Sequence, residues 1–589
     1  MTVRLKILII KGAVLLLALG TLSSCSKDFL ERKPLTEISE LDVWTDPNLA
    51  RAFVAKMYSD MNHGYEEVMI ASLTDEARFV HDYNTARVLQ GSIGPDEHGA
   101  LWNFANWGDF YKVIRNANMY FENYEEIPFK SDPEKDQLTG EVHFMRAINY
   151  FFLLRMYGGV PIIKGTFGLE DDEAIKDVAR SSFEETINFI LEDLDQAIAL
   201  TEENTERGQV NKSAAQALKS RVLLYAASDL YNKPGNDNPL IGYVGGNQIE
   251  RWKLAKDAAF EIIQKGRYSL YEPTDNPVEN YERIFLDRQT EETIFAKVFD
   301  KELLGTSHDL YNGPNGYNNW GGNVPTQNMV DVYQMADGST FDWANSNHSA
   351  APYENRDPRF YATILYNGAA WKQRASNGIG LDPVGEIQTA QYEYWDGKNI
   401  QKRWGLDSRN SPIENWNGTY SGYYLRKFMD INLDAQFIRG DQDFIYFRYA
   451  EILLNYVEAC LELGETEEAI EYLKSIRKRA GMPYDNIDSG SNSELKELYR
   501  YERRVELAFE GHRFFDARRW MTAEVDFSEP AYAIEIYGKL NSDRETHTWE
   551  YKVVQMQERS FPEKMYFAPV PVAEIRKNDK IVQNPHYLK

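Results

Sequence analysis

Cysteine is nearly absent. Cys25 and Cys460 are the only two in the chain, so no disulfide framework holds the fold together, and a chain of this length does not need one to build a core. Histidine is scarce, with 9 residues. His63, His81 and His98 fall in one stretch, but their spacing fits no helical metal pair. His-Glu-x-x-His, the Walker A loop, Cys-x-x-Cys and Gly-x-Ser-x-Gly are all missing, which removes the usual zinc-protease, nucleotide-phosphate, thiol-redox and serine-hydrolase readings. No cofactor and no metal is expected. Basic charge is in deficit, at 65 Lys and Arg against 91 Asp and Glu, for a formal charge of −26. A chain this acidic repels nucleic acid, which is excluded as a partner. After residue 40 there is no Ser/Gly linker, no Pro-rich linker and no low-complexity run.

Long apolar runs are also lacking, with one exception at the N-terminus. Arg4 and Lys6 precede an apolar run from Ile7 to Leu22, broken by Lys11. It is shorter than the ~20 apolar residues of a spanning helix and has the layout of a secretory signal. The run ends in Leu22-Ser23-Ser24-Cys25, which resembles the lipobox of bacterial lipoproteins. Residues 1–24 are therefore read as a removed signal peptide, Cys25 as the lipidated residue, and 25–40 as a tether. Loss of Arg4, Lys6 and Lys11 with the signal takes the formal charge from −26 to −29. Each buried acyl CH₂ contributes about 0.8 kcal/mol, and two or more chains make a lasting membrane anchor. The charged stretch Ser26-Lys27-Asp28-Phe29-Leu30-Glu31 resembles the acidic export signals that send Bacteroidetes lipoproteins to the cell exterior. Any solvated tether has the same composition.

The mature chain reads as helices first. Phe144, Ile148, Phe151, Phe152 and Met156 recur at helical spacing before Gly158-Gly159 and Pro161, which stop a helix and prevent its resumption. Phe183, Ile187, Ile190, Leu191, Leu194 and Ile198 predict a second helix, capped by Ser181 or Ser182. Ala214 to Ala226 predicts a third, with Asn211 or Ser213 near its cap. Trp252 to Ile263 predicts a fourth, ending at Lys265-Gly266. Tyr449 to Leu463 and Thr466 to Ala480, stopped by Gly464 and Gly481, form a helical pair of about tetratricopeptide length. Cys460 falls in the first of these helices as a buried thiol.

Residues 270–445 differ. They are rich in Gly, Asn, Tyr and Trp, as in Tyr311-Asn312-Gly313-Pro314-Asn315-Gly316-Tyr317-Asn318-Asn319-Trp320 and Asn415-Trp416-Asn417-Gly418-Thr419-Tyr420. These are turn-rich loops, with a short strand expected at Thr293 to Val298. Long loops in a compact protein are functional or disordered, and abundant aromatics argue against disorder. The fold expected is mostly α: tetratricopeptide-like helical pairs as scaffold, long loop-rich insertions and a few short strands. An N-terminal helical half would span 41–270. A C-terminal half would span 271–589 and include the pair at 449–481.

Several segments resemble the SusD/RagB family of Bacteroidetes nutrient-uptake lipoproteins, of the starch-utilisation type. They are Arg146-Ala147-Ile148-Asn149-Tyr150-Phe151 with Tyr157-Gly158-Gly159-Val160-Pro161, Pro325 to Asp331 with Asp337-Gly338, and Arg448 to Asn455 with Glu458-Ala459. The longest is Glu502 to Asp516, closed by Arg518-Arg519-Trp520. The tail Gln583-Asn584-Pro585-His586-Tyr587 departs from the family's usual pattern by His586 in place of Gly. The resemblance implies a surface lipoprotein in the outer membrane, not an enzyme. It would capture oligo- or polysaccharide and deliver it to a TonB-dependent, SusC-like barrel, two of each. Peptide capture, as in the RagB branch, is the alternative. A glycoside hydrolase is the remote one, since it needs only two carboxylates.

Two readings of side chains follow. The alternating Arg, Glu and apolar residues from Glu502 to Arg519 fit a packed helix pair with a semi-buried ion network, in which Arg504 could pair with Glu506 or Glu510 only through tertiary packing or as helix neighbours three or four apart. Glycan binding calls for flat aromatic faces against the C–H face of a sugar, with polar groups on the hydroxyls. Trp102, Asn103, Asn106 and Trp107 are candidates, because Trp102 and Asn106, and likewise Asn103 and Trp107, share a face if the segment is helical. Trp102 or Trp107 can equally be helix core. The second group is Tyr311, Tyr317 and Trp320, and Arg87 and Asp75 are candidate polar contacts.

Overall fold

The computed structural model describes residues 40–168, 175–485 and 487–587. The signal, Cys25 and almost all of the tether lie outside them.

Helices dominate. Helix α1 (Pro47–Asp60) is capped by Asp46 and followed by strand β1 (Ala77–Phe79). Helix α2 (Trp107–Asn123) leads into α3 (Asp132–Tyr157), the longest helix at 26 residues. Ser131 caps α3 by accepting the Glu134 N–H, and Pro133 occupies its first turn, where a missing N–H is harmless. Next come α4 (Phe183–Leu200), α5 (Lys212–Ala227) and α6 (Gln248–Ile263). Ser182 and Glu185 form a reciprocal capping box on α4, and Asn211 caps α5. Each of α2 to α6 packs on its predecessor. Helix α7 (Tyr449–Leu463) continues the stack against α6, ends at left-handed Gly464, and turns into α8 (Thr466–Arg479). Helix α9 (Asn492–Glu506) packs on both, and the short α10 (Arg513–Arg519) follows. The expected stops and caps are thus the observed ones, within a residue or two. Cys460 is buried in α7, and burial pushes its thiol up to about 12.

Gly158 shows why the α3 stop is a glycine. Its backbone sits at φ 79°, ψ −147°, a region open almost only to glycine, and an added Cβ would lie 2.2 Å from the Leu240 carbonyl oxygen. Gly158→Ala is therefore expected to lose at least about 1–3 kcal/mol of stability, read as a lowered melting temperature. An unchanged melt would refute the steric argument.

The strands are short and mostly paired over long range. β1 pairs antiparallel with β3 (Asn323–Pro325), Phe79 facing Asn323; β2 (Thr293–Lys297) pairs with β6 (Phe444–Arg448). A four-stranded sheet is formed by β4 (Gln391–Trp395), β5 (Ile400–Trp404) and the hairpin β7 (Ala531–Leu540) and β8 (His547–Gln557), in the order β8-β7-β4-β5. The largest apolar cluster takes residues from Trp44 to Ile581.

The segment 502–519 is a helix pair joined by a tight turn, with Phe509 at φ 63°. Most of its charges are buried, and Arg504 and Glu510 are half-buried. Arg448 reaches Glu292 at 2.7 Å, Glu506 at 2.8 Å and Glu510 at 2.7 Å. Arg359 reaches Glu502 at 2.9 Å and Glu506 at 3.1 Å, and Arg479 bridges Glu292 and Glu506. Arg504 does not pair with Glu506 or Glu510. It pairs with Asp75 at 2.7 Å, because the helix ends between Arg504 and Glu510 and the tertiary fold brings Asp75 to it.

Candidate ligand-binding site

Three loops that are distant in sequence meet where β1 and β3 pair. Val80 continues the ladder by donating to the Gly322 carbonyl at 2.8 Å, which lays residues 80–83 beside 320–322. Gly321 has φ 60°, and a Cβ there would come 2.2 Å from the Asn417 carbonyl oxygen, so the loop around Trp416 lies directly against the loop of Trp320. Trp320 donates its N–H to the Leu310 carbonyl at 2.8 Å, and its ring leans on Tyr311 at 5.4 Å between centroids. His81 stacks on Trp416 at 5.9 Å and 21°, and Tyr83 lies 6.0 Å from His81. Arg409 pins the Trp416 loop by donating to the carbonyls of Trp416 at 2.6 Å and Gly418 at 3.1 Å. Arg78 and Arg409 both lie over the Tyr420 ring.

The result is an exposed row of rings. Trp416 is 68% exposed, Tyr83 54% and Trp320 39%. Singly exposed apolar residues are ordinary, but rings grouped on neighbouring loops form a patch of the kind that marks a binding surface. Beside Tyr83 a cleft of about 440 Å³ is lined by Trp102, Asn103, Asn106, His63, Glu66, Glu67, Asp109 and Lys297. Burial, helped by Lys297, drives His63 down to about 3, and burial brings Lys297 to about 8 and raises Glu66. The cleft therefore presents a neutral imidazole at neutral pH.

Residues 291–587 match the SusD family, and residues 28–224 match a family described as starch-binding and associating with outer membrane. The chain belongs to the SusD family. SusD-like protein P38 of Formosa agariphila is 23% identical over 547 residues, covering 90% of this chain and 92% of that one. A solved SusD-like protein from Bacteroides fragilis superposes with TM-score 0.72 at 27% identity, over 94% of this chain and 100% of the other. A second from the same species, described as a SusD-like carbohydrate binding protein, gives 0.70 at 20% identity, over 91% and 99%.

This SusD-family structure sorts the residues singled out in the sequence. Trp320 and Tyr311 come together on the exposed row. Trp102, Asn103 and Asn106 share the cleft, and Trp102 is 40% exposed, edge-on to His98. They do not share a helical face with one another or with Trp107. Trp102 and Asn103 close a short 3₁₀ turn (Gly99–Asn103), and Asn106 restarts the chain as the cap of α2. Trp107 is 4% exposed and packs edge-on to Tyr157 at 5.1 Å, so it belongs to the core. Tyr317 is buried as well, with its hydroxyl donating to the Lys372 carbonyl at 2.9 Å and Arg374 over its ring. Asp75 is committed elsewhere: burial would raise its pKa, but Arg504 and Arg513, on both of its oxygens, hold it well below the usual carboxylate range. Arg87 is exposed on the short helix Thr85–Leu89 that follows Tyr83. His81, Tyr83 and Trp416 escaped the sequence reading. The only signal was Trp416 amid Asn and Gly, the same context that marked Trp320.

Cys460, Glu465 and Glu468 lie close enough to hold a metal ion. The protonated thiol is a poor ligand, and both carboxylates already meet Lys256.

Proposed function

We propose that this SusD-family protein is a cell-surface glycan-binding lipoprotein. The exposed row Trp416, Trp320 and Tyr83, continued by Trp102, offers ring faces to the C–H faces of successive sugars, and Asn103 and Asn106 offer amides to their hydroxyls. The observation that carries this reading is the pair of exposed indoles on loops in backbone contact. The carbohydrate-binding description of the B. fragilis neighbour supports it. A peptide-capturing relative needs no exposed indole platform, which favours sugar over peptide. Binding is the whole role proposed, with no catalytic step.

The lipobox-like Leu22-Ser23-Ser24-Cys25 supports a lipid anchor on the outer membrane, and no helix among the described residues is long and apolar enough to cross one. A lipid-anchored binder moves nothing across a membrane by itself. A TonB-dependent SusC-like barrel is therefore the proposed recipient, two copies of each. Two experiments test this. In the first, protein with Cys25→Ala is screened against a polysaccharide panel; binding to peptides but to no glycan would overturn the reading. In the second, the tagged lipoprotein is purified in mild detergent at physiological salt. A TonB-dependent barrel should come with it in near-equal amount, and recovery of the lipoprotein alone would refute the partnership.

A further inference from the structure

Arg155 occupies the last turn of α3, and its guanidinium sits among three phenylalanines. The ring centroids of Phe515, Phe152 and Phe151 are 4.0, 4.6 and 5.6 Å from its central carbon. Its Nε is buried without an acceptor, and among the described residues it has no ion pair. The guanidinium borders a cavity of about 80 Å³. By that measure a water needs roughly 10–15 Å³, so there is room for several.

The other charges around this cavity are already balanced. Arg221 holds Glu451 with two donors, Nε at 2.6 Å and Nη2 at 2.5 Å. Glu510 is taken by Arg448 and Lys427. His512 faces Arg503 through Nδ1 at 3.5 Å, and arginine can only donate, so Nε2 carries the proton of the neutral ring. Burial, then Arg221, Arg503, Arg448 and Arg155, push His512 well below its ordinary value, so it adds no charge to the cavity. The one charge left over is that of Arg155. Aromatic faces return part of a desolvated cation's lost hydration, but less than the penalty for burying the ion. Water would supply acceptors but no charge.

We propose that this cavity is an anion site, taking a small monovalent inorganic anion of chloride size and charge against the Arg155 guanidinium. Asn62 and His63 line both this cavity and the cleft beside Tyr83, so the two spaces are neighbours. The site stands independently of the glycan reading.

Bromide is the probe. Crystals soaked in sodium bromide should show an anomalous peak within hydrogen-bonding distance of the Arg155 guanidinium, absent in Arg155→Met. In solution the protein should melt about 2 °C higher in saturating chloride than in gluconate of equal ionic strength, and Arg155→Met should abolish the difference. If that variant fails to fold, the wild-type crystals decide alone. No anomalous density at Arg155, or equal melting in the two salts, would mean that water fills the cavity and would overturn the proposal.

Discussion

Glu506→Ala is expected to cost about 3–5 kcal/mol of stability, the range for breaking a buried ion pair by removing one partner. Glu506 is fully buried and touches Arg359, Arg448 and Arg479. Its loss leaves three buried guanidiniums to share Glu292, Glu502, Glu510 and Asp357. Burial works against its charge, but these arginines more than offset that, holding Glu506 well below the usual carboxylate range. The same holds for Glu458, which burial would raise but Arg519 and its neighbours bring to about 2. A carboxylate whose folded pKa lies below its unfolded one stabilises the fold fully above the unfolded value, near 4.5, and that contribution is lost as pH falls towards the folded one. Acid should therefore destabilise the wild type progressively below pH about 4.5. Glu506→Ala should start lower and lose less on acidification, because one contributor is already gone. Glu535→Gln, on an exposed pair with Lys552, is the control and should change stability by roughly 0–1 kcal/mol. Thermal melts across pH check all three, and a Glu506→Ala melt matching wild type would refute the network's role.

How far these features were legible depends on the range over which each is set. Helix ends are local. Ser182 with Glu185 three residues on, and Gly464 directly after Leu463, carry their own geometry, so the scaffold could be read one segment at a time. The β7–β8 hairpin was missed because its alternation is interrupted: Ala533 and Ile534 are buried side by side, which shifts the apolar phase of β7, and β8 is mostly exposed. Trp102 and Trp107 show a failure of the opposite kind. Their spacing suits one helix, but Asn106 restarts it between them and sends one indole to the surface and the other to the core. The ring row was the least legible part. It depends on three-residue strands whose partners lie at 77–79 and 323–325, too short to announce themselves, and on Gly321 admitting the Asn417 carbonyl. Trp320 could be picked out by its Gly/Asn context. His81 and Tyr83 acquire meaning only once that pairing is made.

Trp320→Ala combined with Trp416→Ala is expected to weaken glycan binding by roughly 5- to 150-fold while leaving the melting temperature nearly unchanged. Each stacked ring contributes about 0.5–1.5 kcal/mol beyond lost buried area, and the two together convert to that range. The rings sit on separate loops that touch through backbone, Gly321 against Asn417, so each single variant should show a several-fold loss. Stability should fall little, because Trp416 is 68% exposed and Trp320 39%, so removing them gives up less buried apolar area than a core ring would. Trp107→Ala is the opposite case: its ring is buried against Tyr157, and its removal should cost about 3–5 kcal/mol. Any loss of binding in that variant should follow its loss of fold. Titration calorimetry with the cognate polysaccharide, beside thermal melts of all four variants, separates these outcomes. Undiminished affinity in the double variant would move the glycan site off this row, and a collapse of its melting temperature would make the two rings part of the core.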